Sequence, residues 1–251
     1  MNLLLTNDDG YEAEGINILF EKLSKNSNLN VYMVAPDGNR SAISHAITMF
    51  KRNVIKKQGK NKWSCSGNPA DCVLNTIRSS LIPVKIDCVI AGINHGANLG
   101  TDIIYSGTCG AAREASIEGI PGIALSLEYS KEGKLFGFEE LAEFAEKNLD
   151  KLIELCKKAP ERSFVNVNMV SSEKHKGVKL CSKLGLRTYA DTVGLEPKGD
   201  DLETVFHSGT LTSKYEEGTD CKAAEEGYIS VSLIASDPVS VQVVDGIHFS
   251  L

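Results

Sequence analysis

The sequence lacks a long apolar run and lacks a cluster of basic residues. No stretch approaches the about 20 apolar residues that span a bilayer, and the N-terminus runs into a strand-like segment without the pattern of a signal peptide. Asp and Glu number 33 against 27 Lys and Arg, which gives a formal net charge of −6. These features disfavour a membrane protein and a nucleic acid polymer as partner. A small phosphorylated substrate stays compatible, because it needs only a local positive site.

Cys-x-x-Cys pairs are also absent, and the cysteine count is odd. The seven cysteines fall mostly in apolar or strand-like segments, which favours reduced thiols in a cytoplasmic protein over a disulfide framework. Their spacing matches no zinc site. The cysteines are Cys65, Cys72, Cys88, Cys109, Cys156, Cys181 and Cys221.

Short apolar segments alternate with helical patterns through the first 130 residues, and a long helical pattern and one more apolar segment follow up to residue 169. Apolar residues recur with helical spacing from Ile16 to Leu23 and again along 139–158, and an apolar content of 42% supports a full core. This alternation predicts an α/β fold with a Rossmann-like, doubly wound, mostly parallel sheet. The predicted strands cover residues 3–6, 31–35, 86–91 (ended by Gly92), 123–126 and 164–169.

The pattern changes after about residue 170. Apolar and polar residues alternate from 178 to 184, residues 191–201 are rich in Gly, Pro and acidic residues, and 228–233 alternate cleanly as a late strand. We predict an α/β core over residues 1–170. Residues 171–251 are predicted to be a β-rich C-terminal extension that serves oligomerisation.

Asn7, Asp8, Asp9 and Gly10 stand directly after the first apolar segment. The glycine marks a sharp turn, so both carboxylates would lie at the carboxyl end of a buried strand, where open α/β sheets bind ligands. Two adjacent carboxylates repel each other unless a cation or a shared proton joins them. A divalent metal is therefore the leading interpretation. The alternative is that one Asp caps the next helix and the other faces solvent.

Two further polar loops follow predicted strands and supply neutral oxygen atoms. Residues 35–44 contain Ser41, and the glycine-rich residues 91–100 contain Asn94. Hydroxyl and amide oxygens suit hard cations such as Mg²⁺ or Mn²⁺, so both side chains are candidate ligands beside the two carboxylates. Each also has a structural alternative: Ser41 as a cap or an idle loop residue, and Asn94 as a partner of its own loop.

The segment 105–110 precedes a helical pattern and predicts an anion site. The backbone N–H groups and hydroxyls of Ser106, Gly107 and Thr108 would face a phosphate at the helix N-terminus. Alternatively, the two hydroxyls only cap the helix. A metal beside such an anion site is typical of phosphoryl transfer, and this metal and phosphate site falls within the predicted core, residues 1–170.

These segments together closely resemble the stationary-phase survival protein SurE family, whose members are metal-dependent 5′-nucleotidases. The resemblance runs from the N-terminus into the C-terminal region, and its segments occur in order. They are residues 3–10 with the Asp pair, Ala35 and Pro36 with Arg40 and Ser41, residues 92–100, 105–108, 68–73 and 227–231.

The resemblance implies one divalent cation per subunit, Mg²⁺ or Mn²⁺, held by Asp8, Asp9, Ser41 and Asn94. It implies hydrolysis of nucleoside 5′-monophosphates, commonly of 3′-monophosphates too, and in some members of short polyphosphate. It also implies homodimers or homotetramers built partly by exchange of C-terminal elements.

Two positions depart from the family pattern. Asn68 stands where Thr often precedes Pro69, which bears on base or phosphate contacts. The late strand continues through Leu233, where the family often has Thr-Pro, and this bears on the oligomer interface. Neither departure touches the four ligands that the resemblance implies.

We predict a phosphomonoesterase in which a metal-activated water attacks phosphorus. Asp8 or Asp9 would orient that water or accept its proton, and the sequence favours neither. A covalent phosphoaspartyl route through Asp8 is a second hypothesis. A nucleotide-binding regulatory protein without turnover is a third. The phosphate oxygens would be held by Ser106, Gly107 and Thr108, with Asn98 as a lesser candidate.

Overall fold

The computed structural model describes residues 1–238, in which helices and strands alternate along the first 170 residues except where three strands, β2 to β4, follow one another. None of the helices in this part is both long enough and apolar enough to cross a membrane. The α-helices are α1 (Glu14–Ser24), α2 (Pro69–Ile77), α3 (Gly107–Ile117), α4 (Phe138–Lys158) and α5 (Asp220–Glu225), with a short 3-10 helix at Gly100–Ile104. The strands are β1 (Asn2–Thr6), β2 (Asn30–Pro36), β3 (Ile55–Gly59), β4 (Lys62–Cys65), β5 (Cys88–His95), β6 (Gly122–Glu128), β7 (Ser163–Val170), β8 (Val178–Cys181), β9 (Leu186–Tyr189), β10 (Thr192–Lys198), β11 (Asp201–His207), β12 (Leu211–Lys214) and β13 (Ile229–Ala235).

Nine strands form one sheet in the order β3-β4-β2-β1-β5-β6-β7-β13-β8. From β4 to β7 in this order, the six strands run parallel to one another. Among the strands of residues 1–238, this sheet has antiparallel pairs only toward its edges, where β3 joins β4 and β13 joins β7. The predicted doubly wound, mostly parallel α/β fold is therefore confirmed.

The strand order reverses between β1 and β5. From β1 the chain adds β2 and β4 on one side, and then returns to place β5 on the other side of β1. Open α/β sheets bind ligands at such a reversal, beyond the carboxyl ends of the strands. Asp8 and Asp9 follow β1 directly and Asn94 lies near the end of β5, so these residues lie on both sides of the crevice.

Each central strand buries both of its faces. On β1, Leu3 and Leu5 pack into the cluster under α1 and α4, whereas Leu4 packs into the cluster under α2 and α3. Successive side chains of a strand point to opposite faces. Burial on both faces therefore explains why the parallel strands appear in the sequence as continuous apolar runs.

The strand predicted at 86–91 is β5, which continues to His95, so placing its end at Gly92 was wrong. Gly92 has a φ of +135°, and a Cβ on it would lie 2.3 Å from the carbonyl oxygen of Leu125. The pairing of β5 with β6 shifts register between Ala91 and Asn94. The glycine thus allows an irregularity where two backbones approach closely, and it places Asn94 on the strand.

The late strand predicted at 228–233 is β13, and it belongs to the large sheet. It runs antiparallel to β7 and parallel to β8. The other strands of this region form two ribbons, β9 with β12 and β10 with β11. Residues 171–238 thus contribute to the core sheet and to ribbons outside it, and residues 239–251 of the predicted extension lie outside the described residues.

Candidate active site

The turn after β1 is closed by the side chain of Asn7, which is fully buried. Its Nδ2 donates to the carbonyl oxygen of Gly10 over 2.9 Å, and its Oδ1 accepts from the Gly10 N–H over 3.2 Å. Gly10 has a φ of +107°, which favours glycine. The turn therefore fixes Asp8 and Asp9 at the end of the strand.

Asp8 is a buried carboxylate with a single side-chain partner. It is 4% exposed, and its Oδ1 accepts a hydrogen bond from the Thr108 hydroxyl over 2.5 Å. Burial raises the pKa of Asp8 to about 6; the Thr108 hydrogen bond opposes this shift, and the nearby charge of Asp9 adds to it. Within residues 1–238, Asp8 forms no salt bridge, so an ionised Asp8 lacks a neutralising partner.

Asp9 is half-buried and joins the turn to β5. Its Oδ2 accepts from the backbone N–H of His95 over 3.1 Å. Burial raises the pKa of Asp9, and the hydrogen bond from His95 opposes that shift. This contact brings the end of β5, and with it Asn94, beside the two carboxylates.

Asn94 presents an amide whose nitrogen is already used. Its Nδ2 donates to the carbonyl oxygen of Gly96 over 2.8 Å, so its own loop is indeed a partner, as the structural alternative held. The hydrogen bond leaves Oδ1 as the atom that a cation would bind. The interaction with the loop and the role of ligand are therefore compatible.

Ser41 is exposed and lies on the loop after β2. The backbone N–H of Arg40 donates to the carbonyl oxygen of Asp8 over 2.6 Å, which ties this loop to the turn. The N–H of Ser41 donates to Oδ1 of Asn39 over 2.8 Å. The backbone of the loop thus places Ser41 next to Arg40, the residue that contacts Asp8.

The N-terminus of α3 lies against Asp8. A Cβ on Gly107 would lie 2.8 Å from Cβ and 3.0 Å from Oδ2 of Asp8, so only glycine permits this approach. Ser106 is the N-cap, and its Oγ accepts from the N–H of Cys109 over 3.0 Å. Both hydroxyls therefore have protein partners, since that of Thr108 donates to Asp8. The partial positive charge of the helix end favours an anion here.

Asn98 belongs to a buried polar network rather than to the carboxylate pair. It is 6% exposed, and its Nδ2 donates to Oγ of Ser126 over 2.8 Å. Its backbone exchanges hydrogen bonds with the side chain of Asn168, and its carbonyl oxygen also accepts from Asn166. The network fixes the loop that follows Asn94.

The structure brings together most of the residues proposed from the sequence. Gly107 and Thr108 contact the side chain of Asp8. Asn94 precedes His95, which bonds the Asp9 carboxylate, and Ser41 follows Arg40, which bonds the backbone carbonyl oxygen of Asp8. The side chains of Asn98 and Ser106 bond elsewhere. The supporting residues Ser126, Asn166 and Asn168 were missed, although two Asn alternating with apolar residues on the strand 164–169 were a detectable sign of a buried polar network.

The donor set suits a hard cation. In the part of the chain that the structure describes, no three His, Cys, Asp or Glu side chains are grouped to hold a metal. The crevice instead offers two carboxylates and neutral oxygens, which is the ligand chemistry of Mg²⁺ or Mn²⁺ rather than of zinc. Asp8 is buried, Asp9 is half-buried, and neither forms a salt bridge within residues 1–238. This pair fits such an ion, because a bound cation would neutralise both carboxylates.

Comparison with known proteins gives consistent matches. A family model described as Survival protein SurE matches residues 3–191. The protein called 5′-nucleotidase SurE in Desulfitobacterium hafniense is 37% identical over 240 residues, 94% of this chain and 92% of that protein. One of the same name in Clostridium botulinum is 37% identical over 252 residues, 98% and 97% of the two chains. The crystal structure of the SurE protein from Aquifex aeolicus matches with a TM-score of 0.78 and 35% identity, over 95% of both chains.

Proposed function

The chain belongs to the Survival protein SurE family, and from this we propose that it is a 5′-nucleotidase, a phosphomonoesterase that converts nucleoside 5′-monophosphates to nucleoside and phosphate. Relatives of that name match along almost the whole chain, at 36% identity or more. Nucleoside 3′-monophosphates and short polyphosphate are further candidate substrates.

The observation that carries this proposal is the uncompensated pair of carboxylates at the reversal of the sheet. Asp8 is almost fully buried, Asp9 is half-buried, and neither has a salt bridge within residues 1–238. A site that merely held a phosphate would avoid two negative charges. The pair instead favours a cation that stands between the protein and the phosphate.

The proposed ligands of one divalent cation per subunit, Mg²⁺ or Mn²⁺, are Asp8, Asp9, Ser41 and Asn94. When bound, such a cation would neutralise charge on the phosphate and lower the pKa of a coordinated water. The contact from Thr108 orients Asp8, and the His95 N–H orients Asp9. Both carboxylates are thus held in place before substrate arrives, which lowers the cost of reorganisation.

The remaining roles follow from position. Asp8 or Asp9 would orient the attacking water or accept its proton. The N-terminus of α3 at Gly107 would bind phosphate oxygens through its backbone N–H groups, with Ser106 and Thr108 beside it. Asn98 is proposed as a further phosphate contact, for which its network would have to release the amide.

Assembly and location belong to the same proposal. We propose a homodimer or homotetramer formed through residues 171–251, which is supported by exposed apolar side chains on the ribbons of this region. A cytoplasmic location is proposed from the seven free cysteines, because reduced thiols are typical of that compartment.

Phosphate release from a panel of nucleoside 5′- and 3′-monophosphates tests the function. The panel is run with Mg²⁺, with Mn²⁺ and with a chelator, and we expect release that the chelator abolishes. Release that persists after metal removal would favour a phosphoaspartyl route through Asp8. Nucleotide binding without release under any condition would favour the regulatory alternative.

A further inference from the structure

The loop that carries Ser41 has neither helix nor strand from residue 37 to residue 54, yet it has a defined backbone. Ala42 and Ser44 have left-handed φ values of +56° and +57°. Such conformations are unfavourable for non-glycine residues and persist where surrounding contacts impose them. One such contact is the N–H of Ser44, which donates to the carbonyl oxygen of Tyr105 over 2.8 Å.

The first buried carboxylate that holds this loop is Glu114, on α3. Glu114 is 4% exposed, and its Oε2 lies 2.6 Å from Nε2 of His45, whose ring N–H donates to it. The loop also packs directly on the helix backbone. A Cβ on Gly110 would lie 2.6 Å from the carbonyl oxygen of Ser44 and 3.2 Å from Cα of His45.

The second buried carboxylate is Asp71, on α2. It is 2% exposed, and its two oxygens accept from the backbone N–H and the hydroxyl of Thr48, each over 2.8 Å. The same carboxylate accepts from the N–H of Asn68 over 2.8 Å and so also caps α2. Because α2 and α3 pack together beneath the loop, the two carboxylates fix it to one rigid base.

We propose that Glu114 and Asp71 are positioning residues for the metal site, acting through His45 and Thr48 to hold Ser41 over Asp8. This inference rests on the proposed function, with Ser41 as a ligand. Buried carboxylates are costly unless they are hydrogen-bonded, and here both accept hydrogen bonds from the loop that brings Ser41 to the crevice. Supporting contacts of this kind typically change metal affinity or activity by about 10–100-fold.

The experiment measures Mn²⁺ binding by calorimetry, steady-state hydrolysis of a nucleoside 5′-monophosphate, and hydrogen exchange of the loop. In Glu114→Gln and His45→Ala, we expect Mn²⁺ affinity to fall by about tenfold or more and kcat to fall with it. Exchange in residues 41–48 should become faster, while residues 2–9 and 88–95 should exchange as in the wild type. The double variant should lose no more than either single variant, since both remove one contact.

Matched controls separate positioning from general stability. Glu118 lies at the C-terminal end of α3, where its carboxylate pairs with Arg78 and not with the loop. Glu118→Gln should therefore leave Mn²⁺ affinity unchanged. For the second anchor, Thr48→Val removes a bond to Asp71 while the capping contact with Asn68 stays. Thr48→Val should therefore weaken Mn²⁺ binding and leave the melting temperature unchanged. Asp71→Asn, in contrast, should lower the melting temperature because it also weakens the cap of α2.

Two results would overturn the inference. One is unchanged Mn²⁺ affinity in Glu114→Gln, His45→Ala and Thr48→Val. The other is lower thermal stability in these variants with normal metal binding, which would leave a purely structural role. Failure of the proposed function itself would look different, because the wild-type chain would then neither bind Mn²⁺ nor release phosphate.

Discussion

Asp8 is the residue on which the proposed chemistry depends most. Asp8→Asn keeps the shape of the side chain and removes its charge. We expect Mn²⁺ affinity and kcat to fall together, by more than the about 100-fold that loss of a supporting contact costs, because a ligand is lost. Calorimetry and phosphate release measure the two effects.

A matched control for this substitution is Asp150→Asn, on the exposed face of α4. It removes the same charge far from the crevice and should change neither quantity. Near-normal turnover with normal metal dependence in Asp8→Asn would contradict the assignment of Asp8 as a ligand.

The ionisation of Asp8 gives a pH dependence of definite sign. Burial raises its pKa from 3.8 to about 6 in the folded, metal-free protein. The folded state therefore binds a proton more tightly than the unfolded chain, and this residue lowers the free energy of unfolding as pH rises from about 3.8 to about 6. A metal must displace that proton, so Mn²⁺ affinity should decline as pH falls below about 6.

Calorimetric titration with Mn²⁺ between about pH 5 and about pH 8 measures this effect. The wild type should lose up to about tenfold in affinity per pH unit below the pKa of Asp8, and Asp8→Asn should show a weaker dependence. An affinity that stays constant across the range would show that protonation of Asp8 does not compete with metal binding.

At the scale of elements, local sequence patterns were sufficient to predict β1 and its turn, because an apolar run followed by Gly10 defines both. The contact between Thr108 and Asp8 was not predictable, since the two residues are 100 positions apart and meet only when α3 packs on the sheet. Gly92 was misread for a related reason. A glycine that ends a strand and one that permits a bulge look alike until the neighbouring strand is placed.

Gly15 couples α1 to the strand that carries Asn94. A Cβ on Gly15 would lie 2.2 Å from the carbonyl oxygen of Ile93, a backbone atom that has little freedom to move. Gly15→Ala improves helix propensity by up to about 1 kcal/mol, but the overpacking typically costs about 1–3 kcal/mol. We expect a lower free energy of unfolding in urea and weaker Mn²⁺ binding, because Ile93 precedes Asn94.

Gly59→Ala is the control for this substitution. The nearest atom to a Cβ at Gly59 is 3.9 Å away, on Lys62, so the change should be close to neutral. A Gly15→Ala variant as stable as the wild type would show that α1 does not limit the position of β5.

At the scale of the whole molecule, the ribbon of β10 and β11 contrasts with the buried crevice. Val193 pairs with Phe206 across the ribbon, and Leu195 and Leu202 lie on the same face. Two-stranded ribbons alone are marginally stable in water, and exposed apolar faces mark contact surfaces. The exposed fractions are 61% for Val193, 64% for Leu195, 65% for Leu202 and 64% for Phe206.

If this face joins subunits, a charge placed on it should dissociate them. We expect Phe206→Asp to raise the dissociation constant by about 30-fold or more, the effect of losing a central interface residue, as measured by analytical ultracentrifugation over a range of concentrations. Thr192→Asp places the same charge on the opposite face of the ribbon and should leave the assembly intact.

The dissociated variant also tests whether the site is complete in one chain. All four proposed ligands lie within residues 1–170, so monomeric Phe206→Asp should bind Mn²⁺ about as tightly as the wild type, because distant sites behave independently. An unchanged assembly in Phe206→Asp would exclude this face as the interface. Loss of Mn²⁺ binding on dissociation would instead mean that the partner subunit holds the crevice in its binding conformation.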